Sequence, residues 1–441
     1  MFEPVEKACM SLNGFYLKST SFTYPPCMKN WKIKLSLICN YIIFAILLNS
    51  VGVVVLQVIN EYGITPERAS VLEAWKDLSI AAASFLIASW IPRFGYKLSM
   101  LVSLAFVVTA SLLMATIGGF GISQLLFATV GVSFAIVKVS AYSTLSLITE
   151  DSSEHASFLS IMEGFFMVGV LGGFWIFGTF IAIANNSDTI LWTHTYYVLA
   201  AIGALAFLLL LTTPLDESSV EISEEGPAKD FVEMISLVKY PLIIFFIMGA
   251  FLYVYIEQAI NTWLPSFNFN VLHLPDSISV QIASIYAGSL AAGRLLAGYV
   301  MKHINWYYVL QSCIVMAVVL VLLVLPLTIG IEPGTISGWA DVPIAAYLLP
   351  AIGFFLAPIY PTLSSSILSA LPKNRQSGMT GLIVIFSALG GTTGSIITGF
   401  LFGRLDGQTA FYFTLVPLVL LFLLIIPYRR KREQFEIGSI K

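Results

Sequence analysis

The sequence predicts an all-α membrane protein with twelve transmembrane helices in two pseudo-symmetric six-helix bundles, and three observations carry that expectation. Of 441 residues, 58% are hydrophobic and 11% are charged, where an ordinary globular domain carries about 25% charged residues. Apolar runs close to the roughly 20 residues that a bilayer core demands recur from one end of the chain to the other. Lysine and arginine gather in alternate connections, as loops kept on one side of a membrane do.

The runs place spans at about 35–59, 70–91, 97–118, 122–148, 156–182, 194–212, 240–265, 278–300, 307–329, 342–366, 377–402 and 409–428. An open strand in lipid leaves backbone groups unsatisfied, and the runs are too long and uniform for barrel strands, so all twelve are read as helices. Residues 1–34 are mixed polar and basic, without the short apolar run of a secretory signal, and the first helix is expected to stay as a span. With both termini in the cytoplasm, seventeen lysines and arginines fall on the cytoplasmic side and only Arg68 and Arg404 on the other. Lys76, Lys138 and Arg294 fall inside spans. The expected organisation is a cytoplasmic tail (1–34), a six-helix bundle (35–212), an acidic cytoplasmic linker (213–239), a second six-helix bundle (240–428) and a basic cytoplasmic tail (429–441).

The halves resemble each other as an old duplication would leave them. A shift of 222 residues lays Gly131, Ala135, Gly169 and Gly172 on Gly353, Ala357, Gly391 and Gly394, and a shift of 201 lays Gln57, Ile59 and Asn60 on Gln258, Ile260 and Asn261.

Several function classes drop out. A net charge of −3 offers no basic patch for nucleic acid. The four cysteines are far apart, and the four histidines (His155, His194, His273, His303) have no metal spacing, so neither a metal site nor a cofactor is expected. No GxSxG, phosphate-cradling loop or Walker motif is present, which argues against an enzyme and against ATP-driven transport. Duplicated halves with charges in both favour a secondary carrier using alternating access over a channel or receptor.

A charge at a bilayer centre costs about 2.5–3.5 kcal/mol on insertion scales, so each one inside a span needs a reason. Seven are expected there: Glu73, Lys76, Asp77, Lys138, Glu163, Glu257 and Arg294. Tyr253, Glu257 and Asn261 recur at i, i+4, i+8, as do Lys138, Tyr142 and Ser146, and each set forms one polar stripe suited to a cavity wall. Glu73 and Asp77 share a face, with Glu73 close enough to the outer end of its helix to reach water. Asp77 is either a proton carrier or a static charge, paired locally with Lys76 or interfacial. Glu163 either completes a proton path or packs against Arg294 or Lys138. Asn49, Gln57 and Tyr360 supply neutral hydrogen bonds, either to a polyol or sugar or between helices. The glycines at 169, 172, 173, 390, 391 and 394 let helices approach closely. Trp263 and Pro265 read as an interfacial anchor and a helix end.

Six plus six helices around a long central linker resemble the major facilitator superfamily. Gly293-Arg294-Leu-Leu-Ala-Gly298-Tyr-Val-Met-Lys302-His303 is similar to the second copy of its inter-helix signature, and Ala88-Ser-Trp-Ile-Pro92-Arg93-Phe-Gly95-Tyr-Lys97 to the first, with Pro92 where Asp is usual. Gly353-Phe-Phe-Leu-Ala-Pro-Ile-Tyr360-Pro361-Thr362 and the glycines of span 11 resemble the fucose permease branch of sugar and proton symporters. Two of that branch's carboxylates are replaced, by Gly52 and by Val137-Lys138. The resemblance implies a monomer in a bacterial inner membrane that takes up a sugar or other small polar solute with a proton, or with sodium in its place. It implies that spans 1, 4, 7 and 10 line one chamber. There Glu257, Asp77 and Glu163 would serve proton coupling, and Lys138, Asn49, Gln57, Tyr142, Gln258, Asn261 and Tyr360 would serve substrate binding. Glu257 would carry a proton or pair with Lys138, while Arg93 and Arg294 would act as conformational latches. The positive Lys138 leaves open an anionic solute, an organic acid or siderophore, moved in either direction.

The asymmetry of basic residues makes a topological prediction. A tag inserted in the 213–239 linker should stay unlabelled by membrane-impermeant reagents in intact cells and become labelled after permeabilisation; labelling from outside would reverse the orientation.

Overall fold

The computed structural model describes residues 30–86, 90–149, 152–187, 189, 191–217, 235–301, 303–333, 336, 338–371 and 373–439. Tail residues 1–29 and linker residues 218–234 lie outside that set, and with them Cys9, Cys27 and the lysines of the tail up to Lys29. Among the described residues the regular structure is helical, with eleven helices long and apolar enough to cross a membrane. The twelfth expected span, the second, is Val71–Leu86, which carries Glu73, Lys76 and Asp77.

Span 1 runs as Trp31–Asn49 and Val51–Tyr62 with a break at Ser50. Spans 3 to 6 are Tyr96–Thr116, Phe120–Ile148, Ser152–Ala184 and Thr195–Thr212. Spans 7 to 9 are Pro241–Asn270, Asp276–Val300 and Trp306–Val324. Span 11 is Lys373–Arg404, and span 12 runs as Gly407–Tyr412 and Leu415–Ser439. Span 12 starts on a well-made cap: Asp406 accepts from the Thr409 N–H and hydroxyl, both at 2.7 Å, and the backbone hydrogen bond holds its carboxyl below the usual range.

Two details correct the sequence reading. Pro265 does not end span 7, which continues to Asn270; the remaining helical hydrogen bonds and the packing of buried Leu264 and Phe267 carry the helix past it. Span 10 is three short helices, Ile344–Leu348, Ile352–Leu356 and Ile359–Ala370. Pro350 and Pro358 stand at its two joints and lack the N–H an unbroken helix would use. Tighter three-residue bonds, Ala351 N–H to Leu348 and Phe354 N–H to Ala351, bridge the first.

The packing repeats with the duplication. Span 1 packs on 5, span 2 on 4 and span 3 on 6, and their counterparts 7 on 11, 8 on 10 and 9 on 12 do the same. Between the halves, spans 2 and 11, 5 and 8, and 1 and 7 meet.

We call the end where odd-numbered spans begin proximal and the end where they finish distal. The contacts joining the halves gather towards the distal end. A Cβ on Gly52 would lie 2.6 Å from the Thr262 carbonyl oxygen, one on Gly178 3.0 Å from that of Ser277, and one on Gly399 2.6 Å from the Ser70 Cβ. Asn185 donates to Asp276 at 2.7 Å, and Arg404 lies 3.6 Å from Glu67. Trp339, in the connection between spans 9 and 10, stacks on Trp175 of span 5 at 5.8 Å and 3°. Lys138, Ser146, Glu163 and Arg294 are exposed, so the molecule is closed distally and open proximally.

Candidate transport site

Two groups of polar side chains are built into the spans, one dry and one wet. The dry group lies on span 2, where spacing of three and four residues stacks Glu73, Lys76 and Asp77 on one face. Glu73 is 0% exposed, Lys76 6% and Asp77 7%. The Lys76 ammonium donates to Glu73 and lies 3.5 Å from Asp77 Oδ1. From the other half, the Thr262 hydroxyl of span 7 donates to Glu73 Oε2 at 2.9 Å, and Gly391 of span 11 rests on the Asp77 carboxylate. Glu73 therefore does not reach water, contrary to the expectation from its place near a helix end, because spans 7 and 11 close over it.

The wet group faces the proximal opening. Lys138 Nζ sits over the rings of Phe134 (5.8 Å) and Tyr142 (5.9 Å). The Tyr142 hydroxyl donates to Glu163 Oε1 at 2.8 Å, and Tyr41 stacks on Tyr142. In the C-terminal half, the fully buried Tyr253 donates its hydroxyl to Glu257 Oε1 at 3.2 Å, Tyr360 stacks on Tyr253 at 5.5 Å, and the Tyr360 hydroxyl shares a hydrogen bond with Ser387 at 3.1 Å. The cations whose fields reach Glu257 are Arg294 and Lys76.

Lys138 and Glu257, expected to face each other across one chamber, form no ion pair; among the described residues no carboxylate stands within 4 Å of Lys138. Glu163 takes a tyrosine as its partner in place of Arg294 or Lys138. Asp77 shares Lys76, as one of its two readings had it. Asn49 turns its amide onto its own helix, at the Ala45 carbonyl. Gln57 is buried, and its Nε2, like Oε1 of Gln258, has no partner among the described residues. Asn261 is half-buried and its carbonyl faces Gly52. Arg93 is exposed, its guanidinium over Trp90 at 5.5 Å.

Trp263 is no interfacial anchor. It is fully buried, donates to the Ser395 carbonyl at 3.0 Å and stacks on Phe402. Of the packing glycines, 169, 173, 390, 391 and 394 touch a neighbouring helix, while Gly172 faces open space. Thr262 and Ser387 escaped the sequence reading. Tyr253, four residues from Glu257, was visible in its stripe, but nothing marked Thr262 among ordinary threonines. Among the described residues no three metal-ligating side chains cluster.

Residues 36–391 match the model of the Major Facilitator Superfamily. No curated protein matches the chain by sequence. Solved structures share its fold. A bacterial homolog to the human lysosomal transporter Spinster, inward-facing and occupied, superimposes with a TM-score of 0.72 at 13% identity, covering 94% of this chain and 99% of that one. The nucleoside transporter NupG gives 0.69 at 14% identity over 90% and 99%. FucP, in the outward conformation, gives 0.57 at 15% identity over 90% and 98%.

The dry group makes a stability prediction. Lys76→Met strands two buried carboxylates and should lower stability by about 3–5 kcal/mol, the scale of breaking a buried ion pair from one side. Adding Glu73→Gln and Asp77→Asn should restore part of the thermal-shift midpoint; an unchanged midpoint in Lys76→Met would mean the cluster is hydrated.

Proposed function

The chain belongs to the major facilitator superfamily, and we propose that it is a proton-coupled carrier that takes up a sugar or another small polar solute by alternating access. Membership and the transporter neighbours mark a carrier and not an enzyme. The observation that supports proton coupling is Glu257. It lies midway along span 7, is held by the Tyr253 hydroxyl alone, and has no ion pair among the described residues. A carboxyl so placed can gain and lose a proton as the cavity opens to either side. The tyrosines and Ser387 around it offer neutral hydrogen bonds and ring faces, which suit a sugar.

Basic residues keep proximal connections in the cytoplasm, so the distal closure is read as the outer gate and this state as inward-facing. On that reading both termini are cytoplasmic, and the protein works as a monomer in a bacterial inner membrane. Rocking of the halves about the cavity would break the distal contacts and form proximal ones.

A second reading rests on Lys138, an exposed cation beside the rings of Phe134 and Tyr142 with no carboxylate within 4 Å among the described residues. It suits an anionic solute with an apolar body, an organic acid or siderophore, taken up or exported.

Two variants separate the readings. Glu257→Gln should abolish gradient-driven accumulation in vesicles while sparing solute exchange; accumulation equal to the parent's would move the proton role elsewhere. Lys138→Met should weaken the thermal stabilisation given by organic acids about tenfold or more in concentration, as loss of a charged hydrogen bond of about 1.5–3 kcal/mol would. If sugars stabilise both forms equally and acids neither, the solute is neutral.

A further inference from the structure

The Glu73, Lys76 and Asp77 cluster occupies a place that water does not reach, and its charges do not balance. Two carboxylates share one ammonium, so with all three ionised a charge of −1 is shut inside the closed distal seam. The charged groups near enough to act on Asp77 are Lys76 and Glu73 on its own helix and, from span 7, Glu257. The last is another acid and offers no compensation. From span 11 comes Gly391 and from span 4 Gly131, both neutral, while Thr262 of span 7 supplies one hydroxyl donor, to Glu73. Arg404, at the distal end of span 11, lies beside Glu67.

A second observation points to what is missing. A Cβ on Gly391 would meet both the Asp77 carboxylate and, at 3.2 Å, the Gln258 Cγ, so the two side chains pack against the same point of span 11. Gln258 Oε1 is buried without a donor among the described residues. An ionised carboxylate only accepts hydrogen bonds, whereas a protonated one carries an O–H to give. One proton would therefore cancel the excess charge and turn one of the two acceptor carboxylates into a donor.

We propose that the distal gate closes with one proton bound by the Glu73 and Asp77 carboxylates, which makes this cluster a proton site separate from the cavity glutamate. The inference rests on the reading of the chain as a proton-coupled carrier. When spans 7 and 11 part from span 2, the Thr262 bond breaks, water solvates the carboxylates and the proton leaves to it. When the spans return, water is expelled and one proton is taken up from the distal side. No electron moves and no covalent bond beyond O–H forms or breaks. Closure is thereby linked to proton binding whatever the solute, because the cluster touches the seam and not the open cavity.

The test reads the gate itself. Spin labels go on cysteines at Asn186 and Pro333, exposed distal positions of the two halves, in the full-length chain with Cys9, Cys27, Cys39 and Cys313 replaced by serine, held in lipid nanodiscs. Electron–electron distance measurements give the ratio of closed to open gate. The ratio should rise by up to about tenfold for each unit fall in pH across the range of uptake, as linkage to one proton demands. Asp77→Asn should hold the ratio high and flat in pH. Glu73→Gln should do the same, and it serves where Asp77→Asn fails to fold. A ratio flat in pH in the parent, a pH response undiminished in both variants, or closure driven by sodium at fixed pH would each overturn the proposal. A flat gate in a chain whose accumulation still needs the proton gradient sinks this inference alone; a pH-sensitive gate in a chain whose accumulation ignores the gradient sinks the proposed coupling alone.

Discussion

Backbone meets backbone at the distal seam, where Gly52 lies against the Thr262 carbonyl and Gly178 against that of Ser277. In lipid the hydrophobic effect does not drive helices together, so association depends on close packing and on hydrogen bonds between helices. Glycines allow the packing. Asn185 with Asp276 and Thr262 with Glu73 supply bonds across the halves. Because these joints gather at one end, the halves are held together there and lie apart at the other.

The two charge groups answer different requirements. Charges inside a span are tolerated when paired or when wetted. Lys76 meets the first condition and sits where the halves close. Lys138, Glu163 and Arg294 meet the second and sit where the halves part. Arg404 and Glu67, 69% and 31% exposed at the seam's rim, add little by comparison, since exposed pairs are worth about 0–1 kcal/mol. The seam's electrostatics is thus concentrated in three residues of span 2.

Much of the architecture was legible because a bilayer writes its thickness into the chain. Spans 3, 4, 6 and 8 begin and end within a few residues of where apolar runs put them, and the duplication visible in Gly131 and Gly353 returns as the repeated packing of spans. Depth and partnership were less legible. Glu73 looks exposed when measured from the end of its own helix, yet it is covered by spans some two hundred residues away. Trp263 has the chemistry of an interfacial anchor, but its indole N–H found a carbonyl inside the bundle. Lys138 and Glu257 each stand deep in a span, and depth within separate helices does not bring charges within reach of each other. In each case the deciding distance runs between halves, and periodicity along one helix carries no record of it.

The broken span 10 gives the two halves unequal mechanics. Its counterpart, span 4, is one helix of 29 residues from Phe120 to Ile148 and transmits force along its length. Span 10 is jointed at Pro350 and Pro358, with shorter hydrogen-bonded rings at the first joint. Local opening is cheapest where backbone bonds are fewest, so amide exchange is expected to be fastest at the joints of span 10. Tyr360, just past the second joint, is therefore mounted on a compliant strip while Lys138 is mounted on a rigid one. On the proposed reading, a solute held between them would meet one wall that yields to its shape and one that does not, and adaptation to different solutes would fall to the C-terminal half.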